Sequence, residues 1–100
     1  MAAKPEETVK KEIKEHIDKS GYPYSEWYVG ISDDPEDRLF NDHKVEKKSW
    51  WIYRECFNSE AARRVEEYLI NTLGTKGDVG GGDEKSIFVY AYKITNSTVE

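Results

Sequence analysis

The chain is expected to adopt a small α+β fold, a three-stranded, largely antiparallel sheet with flanking helices. Three observations predict it. Apolar residues recur at helical spacing in two long segments, aromatic and β-branched residues alternate along three others, and glycines, prolines and capping residues punctuate the joins. The order helix, strand, helix, strand, helix, strand would also suit a parallel sheet. The first two strands, however, are joined by a helix of only about nine residues, and three strands make a poor doubly wound core.

Pro5, Glu6 and Glu7 mark the start of the first helix and Gly21 its stop, giving a helix over residues 6–19. Val9, Ile13 and Ile17 lie four apart, a narrow stripe for packing on something larger. His16 borders that stripe and reads as a packing or surface residue. After a turn at 21–25 containing Pro23, "EWYVGIS" reads as a strand with Trp27, Val29 and Ile31 on one face and Tyr28 and Gly30 on the other. A ring beside a missing side chain leaves a shallow hollow. Asp34 then caps a helix over about Pro35 to His43, with Pro35 at its first position and Leu39 and Phe40 turned inward.

The second strand, "SWWIYREC", sends Trp50 and Ile52 one way and Trp51 and Tyr53 the other. At most one of the paired tryptophans can therefore serve a given surface as a platform for bases, and core packing is the better reading. Asn58 or Ser59 caps a long helix through about Leu73, with Ala62, Val65, Leu69 and Leu73 at helical spacing and Gly74 ending it. The loop "GTKGDVGGGDEKS" follows. Its Gly80-Gly81-Gly82 run lacks the lysine and helix of a phosphate-binding loop and reads as a flexible connector. "IFVYAYKI" is the last strand, before a polar tail.

One hundred residues suffice for one core and are too few for two, so residues 1–100 are expected to form a single domain. The 13% aromatic content supports a packed core despite 35% charged residues. Cys56 is the only cysteine, which excludes an internal disulfide and suits a buried thiol in a reducing compartment. No apolar run approaches the roughly 20 residues of a membrane span, and the N-terminus lacks the apolar block of a signal peptide, so a cytoplasmic location is expected. The sequon at Asn96 is then coincidental. Twenty acidic against 15 basic side chains give a net charge of −5, which counts against phosphate-rich partners. A local basic patch remains possible, because Lys44, Lys47, Lys48, Arg54, Arg63 and Arg64 lie close in sequence.

The middle of the chain carries the chemistry: Tyr-Val-Gly on a strand, Arg38 ten residues after Tyr28, His43 five residues later, and Glu66 on the next helix. The segments "WYVGISDDPEDRLFNDH", "SWWIYREC" and "NSEAARRVEEYLINTLG" together resemble the GIY-YIG nucleases, small metal-dependent endonucleases. The resemblance implies a core over about residues 26–95. Tyr28 would be the tyrosine of the second signature triplet, Arg38 the arginine at the scissile phosphate, and Glu66 the ligand of Mg²⁺ or another divalent cation. Glu66 is preferred to Glu67 because Leu69-Ile70 supplies the apolar pair that follows the family's glutamate. Phosphodiester cleavage needs a base for water, positive charge at the pentavalent phosphate and a hard cation held by oxygen, and His43 titrates in the range for moving a proton.

The first signature triplet is absent. Where it should stand, the chain reads "HIDKSGYPY". The terminal strand is similar to it in composition, so that an edge place beside the Tyr28 strand, filled from the C-terminus, would let Tyr90 or Tyr92 stand in. Asp33, Asp34, Glu36 and Asp37 occupy a stretch that is often basic or neutral in the family, and Asp78 replaces in register an asparagine that often follows the second helix. The leading expectation is an endonuclease acting on DNA. The alternatives are an inactive module binding a protein partner and a nucleic-acid-binding domain that does not cleave.

Overall fold

The computed structural model describes residues 3–77 and 83–100. Asp78 and the Gly80-Gly81-Gly82 connector lie outside the described residues. Helix α1 (Glu6–Ser20) buries Val9, Ile13 and Ile17 completely. Removing each such side chain from water stabilises the fold by roughly 1.5–3 kcal/mol. Strand β1 (Trp27–Ser32) follows a short helical turn at Tyr24–Glu26.

Helix α2 (Pro35–Asp37) starts as expected, with Asp34 accepting the Asp37 N–H at 3.2 Å. It does not continue as an α-helix to His43. From Arg38 to Asp42 it widens into a π turn, closed by the His43 N–H on the Arg38 carbonyl at 2.9 Å. Helix α3 (Ser59–Glu67), capped by Asn58, does the same over Tyr68–Thr72. Both ends finish with a left-handed residue, Lys44 (φ 59°) and Gly74 (φ 89°). A bond across six residues follows each, Val45 N–H to Leu39 and Thr75 N–H to Leu69. This widened closure folds the chain back over a buried leucine, Leu39 or Leu69. Helical periodicity alone does not distinguish it from an ordinary α-helical end.

The sheet has four strands rather than three and is mixed, in the order β2-β4-β1-β3, with β2 Trp51–Glu55, β3 Lys76–Gly77 and β4 Phe88–Lys93. The unexpected strand, β3, pairs parallel to β1 through Tyr28 and Val29. Two residues are too few to show alternation. The terminal strand β4 does lie beside β1, but centrally and not at an edge, antiparallel to both β1 and β2. Its Val89, Tyr90, Ala91 and Tyr92 are all buried, as a strand covered on both faces requires.

Alternation distributes the core as expected. Trp27, Val29, Ile31 and Ile52 pack with α1 and α3, while Tyr90 and Tyr92 pack with Leu39 and Val45, and Tyr28, Trp51 and Tyr53 adjoin this second cluster. Cys56 is a buried free thiol, and His16 meets Trp27 and Trp50 edge-on. The outward carbonyls of edge strand β2 are blunted: Tyr53 accepts from Arg54 Nη1 at 2.8 Å and Glu55 from the Lys4 N–H at 2.9 Å. Among the described residues no helix is long and apolar enough to cross a membrane.

Candidate active site

A cleft of about 240 Å³ opens at the Tyr28 face of the sheet. Tyr28 and Gly30 enter it from β1, Arg38 from the π turn, Glu66 from α3 and Tyr90 from β4. Four of the five sequence-predicted site residues thus line one cavity. The fifth, His43, does not line it but stands behind Tyr90, with Nε2 2.8 Å from the phenol oxygen. Tyr92, the other candidate for the missing tyrosine, is fully buried beside His43 and outside the cleft lining.

Gly30 is opposite Tyr90 in the β1–β4 register, and the Tyr90 ring lies directly over it. A Cβ at residue 30 would come within 2.6 Å of Tyr90 Cζ. The hollow expected beside Tyr28 is therefore filled by a phenol from the far end of the chain. Gly30→Ala is expected to push that ring away and destabilise the fold by about 1–3 kcal/mol, the usual result of overpacking. Chemical denaturation checks the loss. Unchanged stability would mean that the ring moves at no cost.

The hydrogen bonds fix the proton arrangement around Tyr90. His43 Nδ1 is 2.6 Å from the carbonyl oxygen of Val99, which can only accept, so Nδ1 carries the hydrogen in the neutral ring. Nε2 is then the acceptor, and the Tyr90 hydroxyl donates to it. Burial pushes the Tyr90 phenol up to about 12, Arg38 opposes this, and Tyr28 and Glu66 add to it. The Tyr90 hydroxyl in turn raises the pKa of the Arg38 guanidinium, against burial. Arg38 also pairs at 3.6 Å with Asp42, a half-exposed contact worth no more than about 1 kcal/mol.

Burial lowers the pKa of His43, with the Val99 backbone and Asp42 opposing and Arg38 assisting. Burial also lowers that of His16, assisted by Arg54 and Lys19. An imidazole with a depressed folded pKa binds protons more readily once unfolded. Its stabilising contribution is complete above the ordinary value of 6.5 and is lost as pH falls below it toward the folded value. Thermal unfolding is therefore expected at a lower Tm at pH 5 than at pH 7.5, with the difference reduced in His16→Gln. An equal or higher Tm at pH 5 would contradict this assignment.

Glu66 is 2% exposed, and its carboxyl group is a hard oxygen donor in the cleft wall. Asp33 and Asp83 also line the cleft, from exposed positions. Among the described residues no group of three or more His, Cys, Asp or Glu side chains is placed to hold a metal. The roles of Ser86 and Asp83 in the lining were not legible in sequence, because the loop that brings them there has no periodic pattern. Comparison of the chain with protein-family models, with curated proteins and with solved structures finds no match, so its function is read from the chemistry of this cleft.

Proposed function

We propose that the protein is a GIY-YIG-like endonuclease that hydrolyses phosphodiester bonds in DNA with a divalent cation, in which the terminal strand β4 takes the place of the missing first strand. The observation that carries this reading is the convergence of Tyr28, Arg38, Glu66 and Tyr90 on one cleft. A phenol pair, a guanidinium and a buried carboxylate are the groups that such hydrolysis needs.

Arg38 binds the scissile phosphate and opposes the negative charge that gathers on its oxygens in the transition state. Burial pushes the Tyr90 phenol up to about 12, so it does not act as a preformed base. It passes the proton on: as water attacks phosphorus, its proton moves to the Tyr90 oxygen while the Tyr90 hydrogen moves to His43 Nε2, and the bond from phosphorus to the departing sugar oxygen breaks, that oxygen taking its proton from solvent water. Tyr28 lines the same wall and orients the water. The donor chemistry of Glu66 fits Mg²⁺, which is commonly held by one or two carboxylates together with waters and substrate phosphate oxygens. When bound, the cation lowers the pKa of the attacking water and neutralises phosphate charge.

One observation favours a second reading, an inactive module that binds a protein partner. Asp33, Asp34, Glu36 and Asp37 precede Arg38 without an interruption by a basic residue, a poor approach for a polyanion. Incubation with supercoiled plasmid separates the two. The nuclease reading requires Mg²⁺-dependent nicking that a chelator stops; intact plasmid across pH 6–9 with Mg²⁺ or Mn²⁺ would leave the interaction module.

A further inference from the structure

We propose that the C-terminal tail belongs to the catalytic apparatus, with the backbone carbonyl of Val99 acting as a positioning group that holds His43 in the tautomer able to accept a proton from Tyr90. The contact is reciprocal. Val99 donates its N–H to the His43 carbonyl at 2.7 Å and receives the Nδ1 hydrogen of the same residue at 2.6 Å. The tail reaches this position through a tight turn, in which Thr98 N–H bonds to the Thr95 carbonyl and the Thr98 hydroxyl is bonded by the Thr95 N–H. Val99 is 53% exposed, and the tail grips His43 through its backbone.

The need for such a grip follows from Tyr92. Its hydroxyl lies 3.1 Å from His43 Nδ1 and 3.4 Å from the Val99 oxygen. With the Val99 carbonyl in place, Nδ1 must keep its hydrogen and the Tyr92 hydrogen is directed to Val99. Without it, Tyr92 is the remaining partner; its hydroxyl can accept from Nδ1 or donate to it, so the tautomer is no longer fixed, and where it donates the ring hydrogen moves to Nε2. An Nε2–H facing Tyr90 cannot take a proton from it, and the relay stops. A backbone carbonyl 56 residues away in sequence thus decides whether Tyr90 has an outlet for its proton.

The catalytic consequence rests on the nuclease reading, while the tautomer can be read without it. In ¹⁵N spectra of the full chain, His43 is expected to show a protonated Nδ1 and a bare Nε2; the reverse pattern would overturn the proposal whatever the variants do. Removal of residues 99 and 100 is expected to populate the Nε2–H form of His43 and to slow plasmid nicking, by about 10²-fold where that form dominates, the lower end of what proton transfer contributes. Asn96→Ala, which trims an exposed side chain of the same turn and keeps the Val99 carbonyl, should alter neither. Tyr92→Phe in the shortened chain removes the competing donor and is expected to restore part of the rate. A folded shortened chain that keeps Nδ1–H and full rate, or an Asn96→Ala chain as impaired as the shortened one, would contradict the role assigned to the carbonyl. If the full chain does not nick DNA at all, the nuclease reading falls, and the ¹⁵N pattern still decides whether Val99 sets the tautomer.

Discussion

Glu66→Gln is expected to abolish the metal dependence of cleavage and lower the rate by about three orders of magnitude, since a bound cation supplies several kcal/mol of transition-state stabilisation at about 1.4 kcal/mol per factor of ten. The side chain is 2% exposed, and glutamine has nearly its shape, so the variant tests the charge with little change in packing. The amide remains an oxygen donor but carries no charge to hold a divalent cation. Steady-state nicking rates across a Mg²⁺ titration check this. A variant that saturates with Mg²⁺ at the wild-type concentration and rate would place the cation elsewhere.

Arg38→Ala is expected to reduce kcat by about 10²–10³-fold, the usual effect of removing one preorganised donor from developing anionic charge. The contact with Asp42 is half-exposed and contributes no more than about 1 kcal/mol to the fold. Arg38→Lys separates charge from geometry. A lysine has one compact charge and no planar fork, so it should recover only part of the rate if the guanidinium meets two phosphate oxygens. Full activity in Arg38→Ala, measured at saturating DNA and metal, would remove the residue from the mechanism. The guanidinium would then serve to shape the Tyr90 environment alone.

Much of this arrangement was legible in the sequence because it rests on local rules. The period-two pattern of "WYVGIS" and "SWWIYREC" assigns each residue to the correct face, the Asp34 cap marks the start of its helix, and of Asn58 and Ser59, both open as caps in the sequence, Asn58 takes the role. Tyr28, Arg38 and Glu66 were selected by spacing and resemblance, and all three line the cleft. What depends on long-range pairing was less accessible. The composition of β4 suggested a place beside β1, but only the burial of both its faces reveals that it is central, with Tyr90 seated on Gly30. Strand β3 is too short to carry a signal. The π turns are invisible to periodicity because they change the closing bond and keep the buried leucine. The Val99 carbonyl has no side-chain identity, so no reading of residue types could have found it behind His43.

The central claim is that Glu66 and the two phenols share one cleft that takes a divalent cation and a phosphate. Titration of the ¹⁵N-labelled protein with Mn²⁺ tests it most directly, because paramagnetic broadening depends on distance from the bound ion. The account predicts saturable broadening of the amides of Gly30, Arg38, Glu66 and Tyr90, lost in Glu66→Gln. Broadening confined to the acidic segment at residues 33–37, or unaltered in Glu66→Gln, would contradict it.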